Sequence, residues 1–138
     1  MLLISCEHPD VFKFVSKKKD RTKVTGANIS VMLTDEFMNA VKFDKDFICR
    51  FPVDQSLDPS CYGDKLEYNK LVEVKDPSCS KEKVYIMKIK AKDLYNEIVD
   101  NAWDNAEPGV AFTDNIHDYS PEGVYEQYKA VASNPCGN

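Results

Sequence analysis

The sequence predicts an α/β fold with strands alternating with helices, and three observations predict it. A continuous apolar run, Met1 to Ile4, leads to a polar break and then a helical pattern. Ile29, Val31 and Leu33 alternate with Ser30 and Met32 and pass directly into a second helical pattern. From Ala91 the apolar period changes from two to that of a helix. Strand and helix patterns in alternation build a sheet with helices packed on it.

Taken in order, Met1 to Cys6 reads as a buried strand. Pro9 suits the first turn of a helix, and Asp10 places a favourable negative charge near that N-terminus. Val11, Phe12, Phe14 and Val15 form its apolar face, and Lys17, Lys18 and Lys19 end it where cations suit the helix dipole. This basic cluster, which runs on through Arg21 and Lys23, reads as a solvated helix end and loop. Gly26 marks a turn before the strand at 29–33. Thr34 is then an N-cap, with Asp35 and Glu36 in the first turn and Phe37, Met38, Val41 and Ala40 facing inward.

Phe47 to Phe51 predicts a strand that stops at Pro52, and residues 54–64 have a loop composition. Leu71, Val72 and Val74 predict a second strand, pairing with the first as a β-hairpin. A further strand is expected over 84–89. The helix from Ala91 aligns Leu94, Ile98 and Ala102, with Tyr95, Val99 and Trp103 beside them, over about four turns. Trp103, the sole tryptophan, reads as core packing. Pro108-Gly109 is expected to stop the helix, and Val110, Ala111 and Phe112 to form a short buried strand pointing toward Asp114 and Asn115. Thr113 to Tyr128 reads as an ordered connection carrying Tyr119, Tyr125 and Tyr128.

At 138 residues the chain corresponds to one domain, 1–138. A composition with 43% hydrophobic and 30% charged residues is that of a soluble globular protein. A net charge of −5 argues against nucleic acid or a membrane surface as partner. The opening apolar run is too short for a signal peptide or a membrane span, which points to the cytoplasm. The five cysteines are Cys6, Cys49, Cys61, Cys79 and Cys136; their odd count and wide spacing argue against a disulfide framework. Cys61 and Cys79 flank the expected hairpin. Neither His8 nor His117 stands at zinc-ligand spacing from a cysteine, so no metal site is expected.

The last seven residues hold the densest chemistry. Pro135 removes a backbone donor and biases Asn134 toward an extended conformation, while Gly137 permits a sharp return. Cys136 would then stand at a loop tip, with the Asn134 amide within reach of whatever the sulfur attacks. Read bare, a thiol in a Pro–Gly turn is more often structural than reactive.

Ser133-Asn134-Pro135-Cys136-Gly137 resembles the catalytic finger loop of ribonucleotide reductases, and of the adenosylcobalamin-dependent class II form in particular. Two further blocks fit the same family in the same order. One is Glu7 to Phe14, followed by Thr25 to Val31 and Thr34 to Met38. The other is Ile89 to Tyr95, followed by Glu107 to Phe112. The resemblance runs over nearly the whole chain and is weakest at residues 50–83.

The resemblance implies the central part of a ten-stranded α/β barrel, reaching the catalytic loop at the chain's end. It implies that Cys136 becomes a thiyl radical and takes hydrogen from the 3′ carbon of a ribonucleotide, whose 2′-hydroxyl is then replaced by hydrogen. Ser133 and Asn134 would contact the substrate, Asn134 orienting the ribose hydroxyls. The family pattern has Glu two residues after the radical cysteine, and here that position is Asn138, which cannot accept a proton. Cys6, Cys49, Cys61 and Cys79 match no family motif. Adenosylcobalamin is implied for the complete enzyme and is not expected to bind this chain alone. A part of a barrel leaves strand edges and apolar surface to be covered, by a complementary reductase chain or by a homo-oligomer.

Two other readings stand beside this one. In the first, the chain is a non-catalytic remnant acting in assembly or binding. In the second, Cys136 and His117 form a small thiol enzyme, which requires the pair within hydrogen-bond reach.

Overall fold

A computed structural model describes residues 1–19, 26–52, 70–73, 83–125, 127 and 130. Its strands form two three-stranded sheets and, among the described residues, no closed barrel. The first sheet is parallel and contains β1 (Leu2–Ser5), β2 (Ile29–Leu33) and β6 (Gly109–Phe112), with β2 in the middle. The second is antiparallel and contains β3 (Asp46–Pro52), β4 (Lys70–Glu73) and β5 (Lys83–Lys90), with β5 in the middle.

Helix α1 (Val11–Val15) follows β1 and runs into a 3₁₀ turn at Ser16–Lys19. Helix α2 (Asp35–Lys42) follows β2, α3 (Ala91–Asn105) follows β5, and α4 (Thr113–Tyr119) follows β6. A second 3₁₀ turn spans Pro121–Val124. Mixed strands and helices are what the sequence leads one to expect.

The central strand behaves as its pattern dictates. Ile29, Val31 and Leu33 are buried, while Ser30 and Met32 are half-buried. Thr34 is in extended conformation and its side chain accepts from the Phe37 N–H at 3.2 Å, so the expected cap is formed. Phe37 then meets Phe47 of β3 edge to face, with ring centroids 5.2 Å apart and planes at 84°. That contact joins the two sheets through α2. Val11, Val15, Val31, Leu33, Phe47, Cys49, Leu94 and Ile98 complete a core shared by both sheets.

Several expectations are corrected. The first hairpin partner of β3 is not β4: Phe47 pairs with Ile89 and Phe51 with Tyr85, while Leu71 pairs with Tyr85 from the other side. Strand β5 therefore lies between β3 and β4. Trp103 is 90% exposed, not core. The buried stripe of α3 is Ala91, Leu94, Ile98 and Asn101, and nine residues of helix rotate Trp103 about 180° from Leu94. The helix ends before Pro108, with Ala106 in the left-handed region at φ 59°. Strand β6 is not buried: Val110 and Phe112 are 45% and 40% exposed at the sheet's edge. Strand β1 is half-buried, with Leu2 exposed. The connection after Phe112 contains the helix α4, and Tyr119 is exposed.

Of the basic cluster, Arg21 and Lys23 lie outside the described residues, while Lys18 and Lys19 make ion pairs. Lys18 pairs with Glu107 at 3.0 Å and Lys19 with Glu97 at 2.6 Å. Glu107 further accepts from the Ile29 N–H at 3.2 Å, so one carboxylate ties the 3₁₀ turn to the start of β2. Among the described residues no helix is long and apolar enough to cross a membrane.

Candidate functional site

Parallel strands end on the same side, and binding or catalytic residues of α/β sheets gather beyond those carboxyl ends. Here that side carries Cys6, Glu7 and His8 after β1, Thr34, Asp35 and Glu36 after β2, and Thr113 and Asp114 after β6.

Hydrogen bonds knit these three strand ends together. The Cys6 N–H donates to the Met32 carbonyl at 2.9 Å, continuing the β1–β2 ladder. Thr113 Oγ1 donates to the Leu33 carbonyl at 3.2 Å. Asp114 Oδ2 accepts from the Asp35 N–H at 2.6 Å, at the first residue of α2. A negative charge there also complements the helix dipole.

The electrostatics centre on Glu7. Burial pushes its carboxyl above the ordinary carboxylate range; nearby Arg50 opposes that, and Glu36 and Asp114 add to it. Arg50 Nη1 lies 3.6 Å from Glu36 Oε1, so the guanidinium is shared among carboxylates. A partly buried carboxyl of this kind keeps its proton to higher pH than an exposed one. His8 is fixed beside it. Its Nδ1 accepts from the Asp10 N–H at 3.0 Å, which leaves any ring proton on Nε2. Its ring meets Phe51 edge-on, centroids 4.6 Å apart, and burial lowers its pKa, so it is held neutral.

The thiols at this end are unreactive by environment. Cys6 is buried, with Sγ 4.0 Å from Thr34 Oγ1, and burial raises its pKa. Cys49 is buried in β3, its Sγ donates to the Cys6 carbonyl at 3.5 Å, and burial pushes it up to about 12. Thiolates are disfavoured in both places, so neither is a nucleophile.

The sequence-predicted site residues Ser133, Asn134, Cys136 and Asn138 lie outside the described residues, as do Cys61 and Cys79. Ala130 is described, and its carbonyl oxygen is 2.8 Å from His117 Nε2. Sequence reading singled out Asp114 only as a direction for β6, and did not group Glu7, Glu36 and Arg50. The available signal was position: each residue of the group except Arg50 falls within three residues of the end of a parallel strand.

The barrel-domain model of ribonucleotide reductase matches residues 1–138. The chain belongs to the ribonucleotide reductase family, through its barrel domain. A vitamin B12-dependent ribonucleoside-diphosphate reductase of Thermoplasma acidophilum is 31% identical over 99% of this chain and 14% of its own length. A reductase of the same name from Mycobacterium tuberculosis is 26% identical over 99% of this chain and 16% of its own. The ribonucleoside-diphosphate reductase NrdEB subunit alpha of Bacillus subtilis is 26% identical over 96% of this chain and 12% of its own. The chain thus spans about one-seventh of the length of the first of these relatives.

Proposed function

We propose that this chain supplies the thiyl-radical segment of a ribonucleotide reductase that makes deoxyribonucleotides. The observation that carries the reading is the family match over all 138 residues, which includes the loop from Ser133 to Gly137. The names of two relatives add ribonucleoside diphosphates as the substrate class and a B12 cofactor for the complete enzyme.

In this reading Cys136 is the reacting group. Its sulfur radical takes a hydrogen atom from the 3′ carbon: one C–H bond breaks, one S–H bond forms, and the unpaired electron moves to the sugar. The two bonds are close in strength, so the transfer is nearly balanced and geometry governs its rate. Asn134 and Ser133 hold the ribose hydroxyls. Asn138 keeps a hydrogen bond where the family has a base, and proton removal from the 3′-hydroxyl must fall to another group.

The relatives' names place a B12 cofactor with the complete enzyme.

The test is complementation. The chain is mixed with a polypeptide carrying the rest of the catalytic subunit of the Thermoplasma acidophilum relative, with adenosylcobalamin and a reductant, and deoxynucleotide is measured. Product that disappears on Cys136→Ser supports the reading. Absence of product from the wild-type mixture, or product untouched by Cys136→Ser, removes it.

A second reading is favoured by one observation, the large apolar side chains left exposed at Trp103, Val110 and Phe112. There the chain acts in assembly as a non-catalytic module. It predicts a stable oligomer by light scattering and no nucleotide binding by calorimetry; a monomer that binds nucleotide removes it.

A further inference from the structure

Helix α3 has two faces, and one of them is bare. Its buried stripe of Ala91, Leu94, Ile98 and Asn101 lies against the core. On nearly the opposite side run Lys92, Asn96, Val99 and Trp103, spaced so that all four share one face, and all four are exposed. Intervals of four, three and four residues are those of a seam between two packed helices, and a polar Asn within such a seam fixes its register. The charges along α3 also run against its own dipole. Lys92 stands near its N-terminus, while Asp100 and Asp104 stand toward its C-terminus, where the last turn has no basic residue. Only Asp93, in the first turn, follows the favourable pattern. Nearby cations are already engaged: Lys88 and Lys90 share Asp46, and Lys19 holds Glu97. An antiparallel second α3 supplies what is missing, with Asp104 of one copy near the N-terminus of the other and Lys92 near its C-terminus.

We propose that α3 is the contact surface of a two-fold dimer of this chain, in which two α3 helices lie antiparallel with Lys92, Asn96, Val99 and Trp103 of each copy against those of the other. An axis through the middle of the stripe sets Lys92 opposite the second copy's Trp103, and Asn96 opposite its Val99. Each ammonium then meets an indole face, with the Asp104 carboxylate beside it. The patch is thus complementary to itself, as a two-fold contact requires. Parallel alignment fails that condition, since it opposes Lys92 to Lys92 and Asp104 to Asp104. Lys92 is available for this: its ion pair with Asp44 is 3.5 Å long, with both side chains well exposed, and such pairs contribute little. One helix face buries less than about 1,200 Å², so the dimer exchanges reversibly with monomer. The inference requires neither functional reading above.

The experiment is sedimentation equilibrium of the full 138-residue chain up to millimolar concentration, with fluorescence of its sole tryptophan read in parallel. A monomer–dimer equilibrium is expected, with Trp103 emission moving to shorter wavelength as the dimer forms. Trp103→Ala is expected to weaken association by about tenfold or more, the scale of losing an aromatic anchor. Lys92→Glu and Asp104→Lys should each weaken it by about fivefold, since each dimer loses two charge pairs. The double variant exchanges the charges across the contact and should associate more tightly than either single one. Within one copy the two positions are about 18 Å apart along the helix, so no contact inside a single chain produces that rescue. A chain that stays monomeric, with emission that never moves, overturns the proposal. So does a double variant no tighter than the single ones. A dimer untouched by Trp103→Ala overturns it as well; such a dimer is held elsewhere and leaves the assembly reading standing. Circular dichroism checks that each variant folds. Should Trp103→Ala not fold, Val99→Lys takes its place: a charge in the middle of the seam is expected to abolish the dimer, and an intact dimer overturns the proposal.

Discussion

The Asp114 carboxylate accepts a hydrogen bond from the Asp35 backbone N–H at 2.6 Å, across 79 residues of sequence. It links the end of β6 to the first turn of α2, and does for that turn what a capping side chain does locally. Asp114→Ala is expected to cost about 1–2 kcal/mol, the usual range for a lost cap with a charged acceptor. Asp114→Asn keeps an acceptor oxygen and should lose clearly less. Thermal melts of the two variants check this, and equal melting temperatures would mean that the bond contributes nothing.

Glu7 makes a prediction about pH. Its carboxyl is raised in the folded chain, chiefly by burial. The folded state therefore holds its proton to higher pH than the unfolded state does, and stability falls as pH rises across that window. The window opens near the ordinary glutamate value of about 4.3 and extends upward. Glu7→Gln removes the loss while keeping the shape. It should melt higher than wild type at pH 7, with the gap closing below about pH 4. A variant that melts no higher at pH 7 contradicts the burial argument.

Ala106 sits in the left-handed region at φ 59° immediately after α3. A Cβ is disfavoured there by about 1–2 kcal/mol, and glycine gives back part of that gain as entropy of the unfolded chain. Ala106→Gly is expected to stabilise by about 0.5–1 kcal/mol, since glycine is the usual residue where a helix ends this way. Urea titration measures it through the midpoint at unchanged slope.

The two buried thiols predict silence. With Cys49 pushed up to about 12, only about one molecule in ten thousand carries its thiolate at pH 8. Cys6, also raised by burial, should behave alike. Under native conditions neither should react with a disulfide reagent over hours, and both should react at once in denaturant. Rapid native labelling of either would show that the contact between β1 and β3 opens readily.

Residue patterns made much of this molecule legible. The alternation at Ile29, Val31 and Leu33, the Thr34 cap and the period from Ala91 onward are local signals. Each element forms because neighbours a few residues apart agree, so each could be read without knowing the fold. The reductase kinship was legible for a related reason, since it rests on ordered blocks along the chain. The cluster of Glu7, Glu36, Arg50 and Asp114 was not. Its members are scattered from residue 7 to residue 114: three stand where parallel strands end on one side, and Arg50 comes from β3 of the other sheet.

By itself, then, the order of amino acids determined which stretches extend and which coil, where the helix α2 begins, and to which family the chain belongs. Only the tertiary structure decided that β5 separates β3 from β4, that Trp103 faces water, and that His117 holds Ala130. The reason is physical. A strand's propensity to extend says nothing of which partner will accept its N–H groups. An apolar side chain on a helix is buried only if some other element comes to lie over it.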